Sequence, residues 1–241
     1  MASLALIKTQ VESRIPGALT VYARPEPETL PTGIAALDDQ TGGIPKGALT
    51  QICASPETSS GKTTLLLSLL AQATGKEHFC ALVDAGDCFD PASGAAAGVC
   101  LSRLLWVRCG GKHRLKPVEQ AFKAADILVQ NGGFGVIAVD LSNVEERLVR
   151  RIPLATWFRF SRVVEKMPTA LVFLTPSAVA TSCAALTLHL GCKGPRWSGE
   201  RTVSHGCLLA NMEFDLEIRR THAKKPVAPA RPDFTARPQW A

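Results

Sequence analysis

No CxxC pair occurs anywhere in the sequence, although it contains 8 cysteines. Cys53, Cys80, Cys88, Cys100, Cys109, Cys183, Cys192 and Cys207 are scattered, mostly within apolar stretches, so the paired spacing of a zinc site is missing. They read instead as small buried hydrophobes in a reducing compartment. No basic segment followed by a long apolar run opens the chain, which argues against a signal peptide. No stretch approaches the about 18 uninterrupted apolar residues of a membrane span. The expectation is a cytoplasmic protein with no membrane association. Internal repeats are also lacking. The charge is not extreme either: 27 Lys and Arg against 21 Asp and Glu leave +6, which admits polyanionic partners without requiring them.

What is present suits a globular chain. Hydrophobic residues make up 46% and charged residues 20%, and 241 residues suffice for one large domain with short appendages. Leu4, Ile7 and Val11 recur at helical spacing, so residues 3–14 predict a short amphipathic helix, with Ser3 as its N-cap. Residues 18–23 read as a strand and residues 24–31 as a Pro-rich linker. An arm and linker over 1–29, a core over 30–223 and a flexible Pro-rich tail over 224–241 follow as the expected domains.

Within the core, strands alternate with helices. Strands are expected at 48–54, 79–84, 104–108, 134–140 and 170–175, and helices at 61–74, 117–130 and 157–167. A short helix is expected near 183–190, then one or two antiparallel strands within 208–219. Near-continuous apolar strands between amphipathic helices predict an α/β fold, a mainly parallel sheet with helices on both faces.

One segment carries phosphate chemistry. PETSSGKTT, from Pro56 through Glu57, Thr58, Ser59, Ser60, Gly61, Lys62 and Thr63 to Thr64, lies between a predicted strand and a predicted helix. In that setting, backbone N–H groups of the loop and the helix dipole would cradle the phosphates of ATP. Lys62 would reach the β- and γ-phosphates, and the Thr63 hydroxyl would hold Mg²⁺. A P-loop has Gly where this chain has Pro56, which supplies neither a positive φ nor an N–H. Asp140 ends the apolar strand VIAVD and would bind Mg²⁺ through a water.

With these pieces in hand, the chain resembles the bacterial RecA family from its N-terminus to about Pro226. The resemblance rests on LPTGIAALDDQTGGIPKG at 30–47, PETSSGKTT at 56–64, VDAGDCFDP at 83–91 and VIAVD at 136–140, in that order. It implies a RecA-type P-loop NTPase core with an N-terminal helix–strand arm that docks on a neighbouring subunit. The departures are equally informative. RecA carries a glutamate that orients the attacking water, and Gly86 stands in its place; Asp87, one residue later, is the candidate substitute. RecA's γ-phosphate-sensing Asn-Gln pair corresponds to Thr175 and Pro176. The two DNA-binding loops correspond to 141–153 and 177–182, the first bearing Arg147, Arg150 and Arg151 as candidate contacts to single-stranded DNA. Arg220 and His222 take the places of two lysines that reach a neighbour's ATP.

A short RecA-like chain with a depleted catalytic set, and with a Pro-rich tail where RecA has its C-terminal domain, resembles the ImuA group. That implies an accessory role beside RecA or a translesion polymerase in the SOS response, with self-association through residues 1–23. At most a weak ATPase is expected. An active DNA-dependent recombinase and an interaction module without nucleotide binding are the alternatives.

Overall fold

The computed structural model describes residues 4–19, 28–54, 60–110, 116–198, 207–220 and 233–237. Helix α1 (Leu4–Arg14) is followed by β1 (Thr29–Leu30), α2 (Ala35–Thr41), β2 (Ile44–Pro45), β3 (Ala48–Ala54) and α3 (Lys62–Gly75). Next come β4 (Cys80–Asp84), α4 (Pro91–Ala96), β5 (Leu104–Arg108), α5 (Pro117–Asn131), β6 (Val136–Asp140), α6 (Glu146–Arg150), α7 (Leu154–Val164) and β7 (Ala170–Thr175). Three strands end the order: β8 (Leu186–Trp197), β9 (Leu209–Arg220) and β10 (Asp233–Ala236).

Eight strands form one sheet in the order β10-β9-β8-β3-β7-β6-β4-β5. Strands β5, β4, β6, β7, β3 and β8 are mutually parallel, whereas β9 and β10 are antiparallel additions. Because successive side chains alternate between faces, the central strands must be apolar on both, and they are: β4 and β7 are buried along their whole length. On one face, Leu65, Leu66, Leu69 and Leu70 of α3 pack on Ile52, Leu82, Ala138 and Val172. On the other, α5 and α7 cover Leu49, Val83, Ile137 and Phe173, with Trp157 packed edge-on against Phe173 at 4.9 Å between ring centroids. The α/β layering and the mainly parallel sheet read from the sequence are thus observed.

Four local readings need correction. Only Thr181–Cys183 is helical, as a 3₁₀ turn, where a helix was expected near 183–190; β8 occupies most of that stretch. Leu186, Leu188 and Leu190 alternate with Thr187, His189 and Gly191, a period of two, and β3 supplies the parallel partner that fixes them as a strand. The Pro-rich tail is not uniformly free of structure: β10 pairs with β9 in register Phe234↔Phe214, and those two rings stack at 5.1 Å. Ala18 and Leu19 lie in a turn rather than a strand, where Glu12 accepts from Gly17 N at 2.9 Å and Leu19 N at 3.2 Å. Residues 20–23 of that expected strand, and the Ser3 cap, lie outside the described residues. Finally, α7 starts at Leu154, three residues before the expected start, directly after Pro153 as N-cap.

Helix α1 buries none of its side chains. Leu4 and Ile7 are exposed, and so is Leu6, which sits off the predicted stripe. Among the cysteines, Cys53, Cys80, Cys109 and Cys183 are buried, Cys88 is exposed and the rest are partly buried. Burial pushes the Cys53 thiol up to about 11 and the Cys80 thiol to about 12, so both stay protonated and unreactive.

Candidate nucleotide site

The neighbouring strands β3, β7 and β6 run parallel, so their C-terminal ends reach the same edge of the sheet. That edge is where open α/β sheets bind ligands. The chain leaves β3 there and re-enters as α3, whose N-terminal backbone N–H groups are directed at whatever lies above the strands. Pro56, Glu57, Thr58 and Ser59 lie outside the described residues. Ser60 is buried, and Gly61 has φ +74° and is packed beneath the Phe214 ring, where a Cβ would stand 2.9 Å away. The loop therefore closes on a residue that only glycine fits, for conformational and for steric reasons.

Lys62 is half-buried and donates from Nζ to the Thr175 carbonyl oxygen at 3.5 Å. Burial depresses its pKa, and Asp140 and Cys53 push it back upward. Thr63 is exposed and Thr64 half-buried. Asp140 Oδ1 accepts from Ser142 N at 2.8 Å. Burial raises the Asp140 carboxyl, which the Ser142 donors and Lys62 oppose and Asp84 reinforces. Lys62 and the part-buried Asp140, whose charges act on each other, thus lie at one strand edge, with the exposed Thr63 beside Lys62 in the first turn of α3. These groups suit a phosphate with its cation: the ammonium faces an anion, and the carboxylate and the neutral hydroxyl are oxygen ligands for a hard cation.

Two further acids at this edge, Asp84 and Asp87, have partners of their own. Asp84 lies opposite Asp140 across the β4–β6 ladder, but its Oδ2 accepts from Phe89 N at 2.8 Å and Trp106 Nε1 at 3.3 Å. Asp87 adopts φ +51° and grips Arg108 through two bonds of 2.6 and 2.8 Å; Arg108 itself lies over Trp106. The Arg108 guanidinium holds the Asp87 carboxyl below the usual carboxylate range.

One residue of this region escaped sequence reasoning. Gln51 of β3 is fully buried, and its amide donates to Thr175 Oγ1 at 2.8 Å and to the Ser177 carbonyl at 3.1 Å, while accepting from Ala180 N at 3.1 Å. It ties the strand that leads to the phosphate loop to the connection after β7. The available signal was an amide in a strand whose only other polar residue is Thr50, and such an amide must find partners once buried. Gln51→Leu is expected to cost about 1–3 kcal/mol, because Ala180 N loses its acceptor inside the protein. Urea denaturation checks this; a change under about 0.5 kcal/mol, typical of an idle surface site, would show that the clamp contributes nothing.

Of the three arginines expected on the first loop, Arg147 pairs with Glu145 and Arg150 with Glu146, the latter at 2.6 Å, and Arg151 is exposed. Ser177 and Arg150 together hold the Glu146 carboxyl below its usual range. Arg220 ends β9, but its side chain and all of His222 lie outside the described residues. Among the described residues no cluster of three or more His, Cys, Asp or Glu is arranged to hold a metal by itself, and no helix is long and apolar enough to cross a membrane.

A parallel sheet with a lysine-bearing strand-to-helix turn at its C-terminal edge defines an α/β fold of the P-loop class. The chain belongs to the RecA family: the RecA N-terminal domain matches residues 17–147. It is 42% identical over 117 residues to Protein RecA of Brucella anthropi, a stretch that covers 48% of this chain and 30% of that protein. Protein RecA of Rickettsia bellii is 40% identical over 115 residues, 47% of this chain and 31% of the relative. Protein RecA of Methylococcus capsulatus gives the same identity over the same length. The chain thus spans about a third of the length of the curated relatives that it matches.

Proposed function

We propose that this chain is a RecA-family accessory protein of bacterial DNA repair and SOS mutagenesis. It binds ATP weakly with Mg²⁺, contacts single-stranded DNA, and acts mainly by assembling with RecA or with components of a translesion polymerase. The observation that carries this reading is the asymmetry of the site. Lys62, Thr63 and Asp140 offer groups for binding, yet among the described residues the carboxylates on either side of Gly86, Asp84 and Asp87, already have partners. Lys62 would neutralise phosphate, Thr63 and Asp140 would hold Mg²⁺, which would screen the phosphate charge, and Gly61 permits a close backbone approach. Asp87 is the catalytic candidate, and Arg108 competes for it. Coupling to DNA is weak because the Gln51 clamp fixes the loop beyond β7, and because Arg147 and Arg150 already have carboxylate partners.

Assembly rests on the arm. Helix α1 exposes Leu4, Leu6 and Ile7 to solvent, apolar surface that an isolated subunit has no use for. Deleting residues 1–23 is expected to leave the core folded, with its melting temperature within about 2 °C, since no α1 side chain is buried. The same deletion is expected to abolish association with itself or with RecA in analytical ultracentrifugation. Unfolding of the truncated protein, or undiminished association, would overturn the assembly role of the arm.

A further inference from the structure

Gly61, the N-cap of α3, has no side chain with which to fix the turn that ends the phosphate loop. Glycine has the widest backbone freedom of any residue, so its left-handed φ of +74° must be held from outside. Its carbonyl accepts from Leu65 N at 2.9 Å, and the buried Phe214 ring lies against it on the side where a Cβ would stand. Phe214 in turn stacks on Phe234, with 5.1 Å between ring centroids and 29° between planes. Phe234 is the one large apolar residue of β10; Asp233 and Thr235 are exposed and Ala236 is partly buried. The strand is otherwise held by its ladder to β9 and by an exposed ion pair of Asp233 with Lys193. Exposed pairs of this kind contribute little. The Phe234 ring is therefore the grip of β10 on the core, and the ring that it grips is the one closed over Gly61.

We infer that Phe234 is a positioning residue of the nucleotide site: β10 is a strap whose ring, through Phe214, holds Gly61 and the end of the phosphate loop in binding form. The inference rests on the nucleotide-binding reading and adds a residue that acts on the loop through another. A cradle of backbone N–H groups binds best when it is ordered beforehand, because ordering it on binding subtracts from affinity. Loss of the Phe234 ring leaves a void beside Phe214, and a close-packed interior partly fills such a void by moving what borders it. Gly61 is one side chain away. The coupling is reciprocal: what a docked β10 adds to ATP binding, bound ATP adds to the docking of β10.

Two measurements on the full chain test this, one of them without nucleotide. In the nucleotide-free protein, Phe234→Ala is expected to speed amide hydrogen exchange at residues 61–65 by about two- to tenfold, the range that one aromatic pair contributes. The same variant should weaken ATP binding in calorimetry by a similar factor. Phe234→Tyr keeps a ring to stack and should match the wild type in both, whereas Phe234→Leu, apolar but without a ring, should fall between. In the wild type, ATP should slow exchange at residues 233–236. The control for a general loss of stability is Leu128→Ala on α5, in the core layer on the other face of the sheet. Its melting temperature should fall while loop exchange and ATP affinity hold. If Phe234→Ala resembles Leu128→Ala in both measurements, the ring pair is core packing and the proposal is overturned. If Phe234→Ala does not fold, Phe234→Leu decides by the same comparison. A loop loosened by Phe234→Ala in a protein whose wild type binds no ATP would support the strap and sink the nucleotide reading, so the two fail separately.

Discussion

Lys62→Ala is expected to abolish ATP binding measured by calorimetry, a drop of at least about tenfold to a hundredfold if charge-assisted bonds to phosphate each contribute about 1.5–3 kcal/mol. No other Lys or Arg occurs between residues 47 and 75, so nothing in the loop or the adjoining helix can replace its charge. The loss would not come from unfolding. Burial already depresses the Lys62 pKa, which means that its charged form is disfavoured in the fold. The sign follows: a lysine with a lowered pKa subtracts stability at neutral pH, so its removal should leave the melting temperature unchanged or slightly raised. Binding falls while stability does not, and that pair of readings separates a ligand contact from a structural one. Equal affinity in the wild type and in Lys62→Ala would mean that the loop entered through Pro56 no longer works as a phosphate cradle.

Much of this site was legible in the sequence. Lys62 and Asp140 announce themselves because each terminates a strong local pattern: a glycine-containing turn before an amphipathic helix, and a five-residue apolar strand ending in an acid. The five parallel strands from β3 to β7 were legible for the same reason, since a strand buried on both faces is apolar at every position. What stayed hidden depends on distant partners. Gln51 looks like a minor defect in β3 until Thr175, Ser177 and Ala180, more than a hundred residues away, surround its amide. Leu186–Leu190 is a short leucine-rich run whose alternation is too brief to decide by itself, and parallel pairing with β3 fixes it as a strand. Strand β10 rests on Phe234 finding Phe214, whose ring also closes over Gly61. That last contact links the Pro-rich tail to the phosphate loop, and no local window of sequence contains both. The committed state of Asp87 was equally invisible, because its partner Arg108 belongs to the next strand.

ATP turnover is expected to be slow, about 10²–10⁴ below the rate that a positioned general base supports, and little stimulated by single-stranded DNA. Each described acid at the ends of β4 and β6, and Asp87 just beyond β4, has a reason not to serve. Asp84 accepts from Phe89 N and Trp106, Asp140 is the proposed cation ligand, and Asp87 is held in a two-bond grip by Arg108. The residue corresponding to the water-orienting glutamate of the family is Gly86. Its φ is not positive, so the backbone there accepts an ordinary side chain, but a Cβ would stand 3.0 Å from Asn143 Cβ and 3.4 Å from Cys88 Sγ. Asn143 has closed over the space. Gly86→Glu alone is therefore expected to give little activity and some loss of stability, whereas Gly86→Glu with Asn143→Gly should raise kcat by about a hundredfold, the lower end of what such a group contributes. Release of labelled phosphate, with and without single-stranded DNA, measures both. Brisk DNA-stimulated turnover in the wild type would sink this account, and its disappearance in Asp87→Ala would show that Asp87 leaves Arg108 once nucleotide binds and acts as the base.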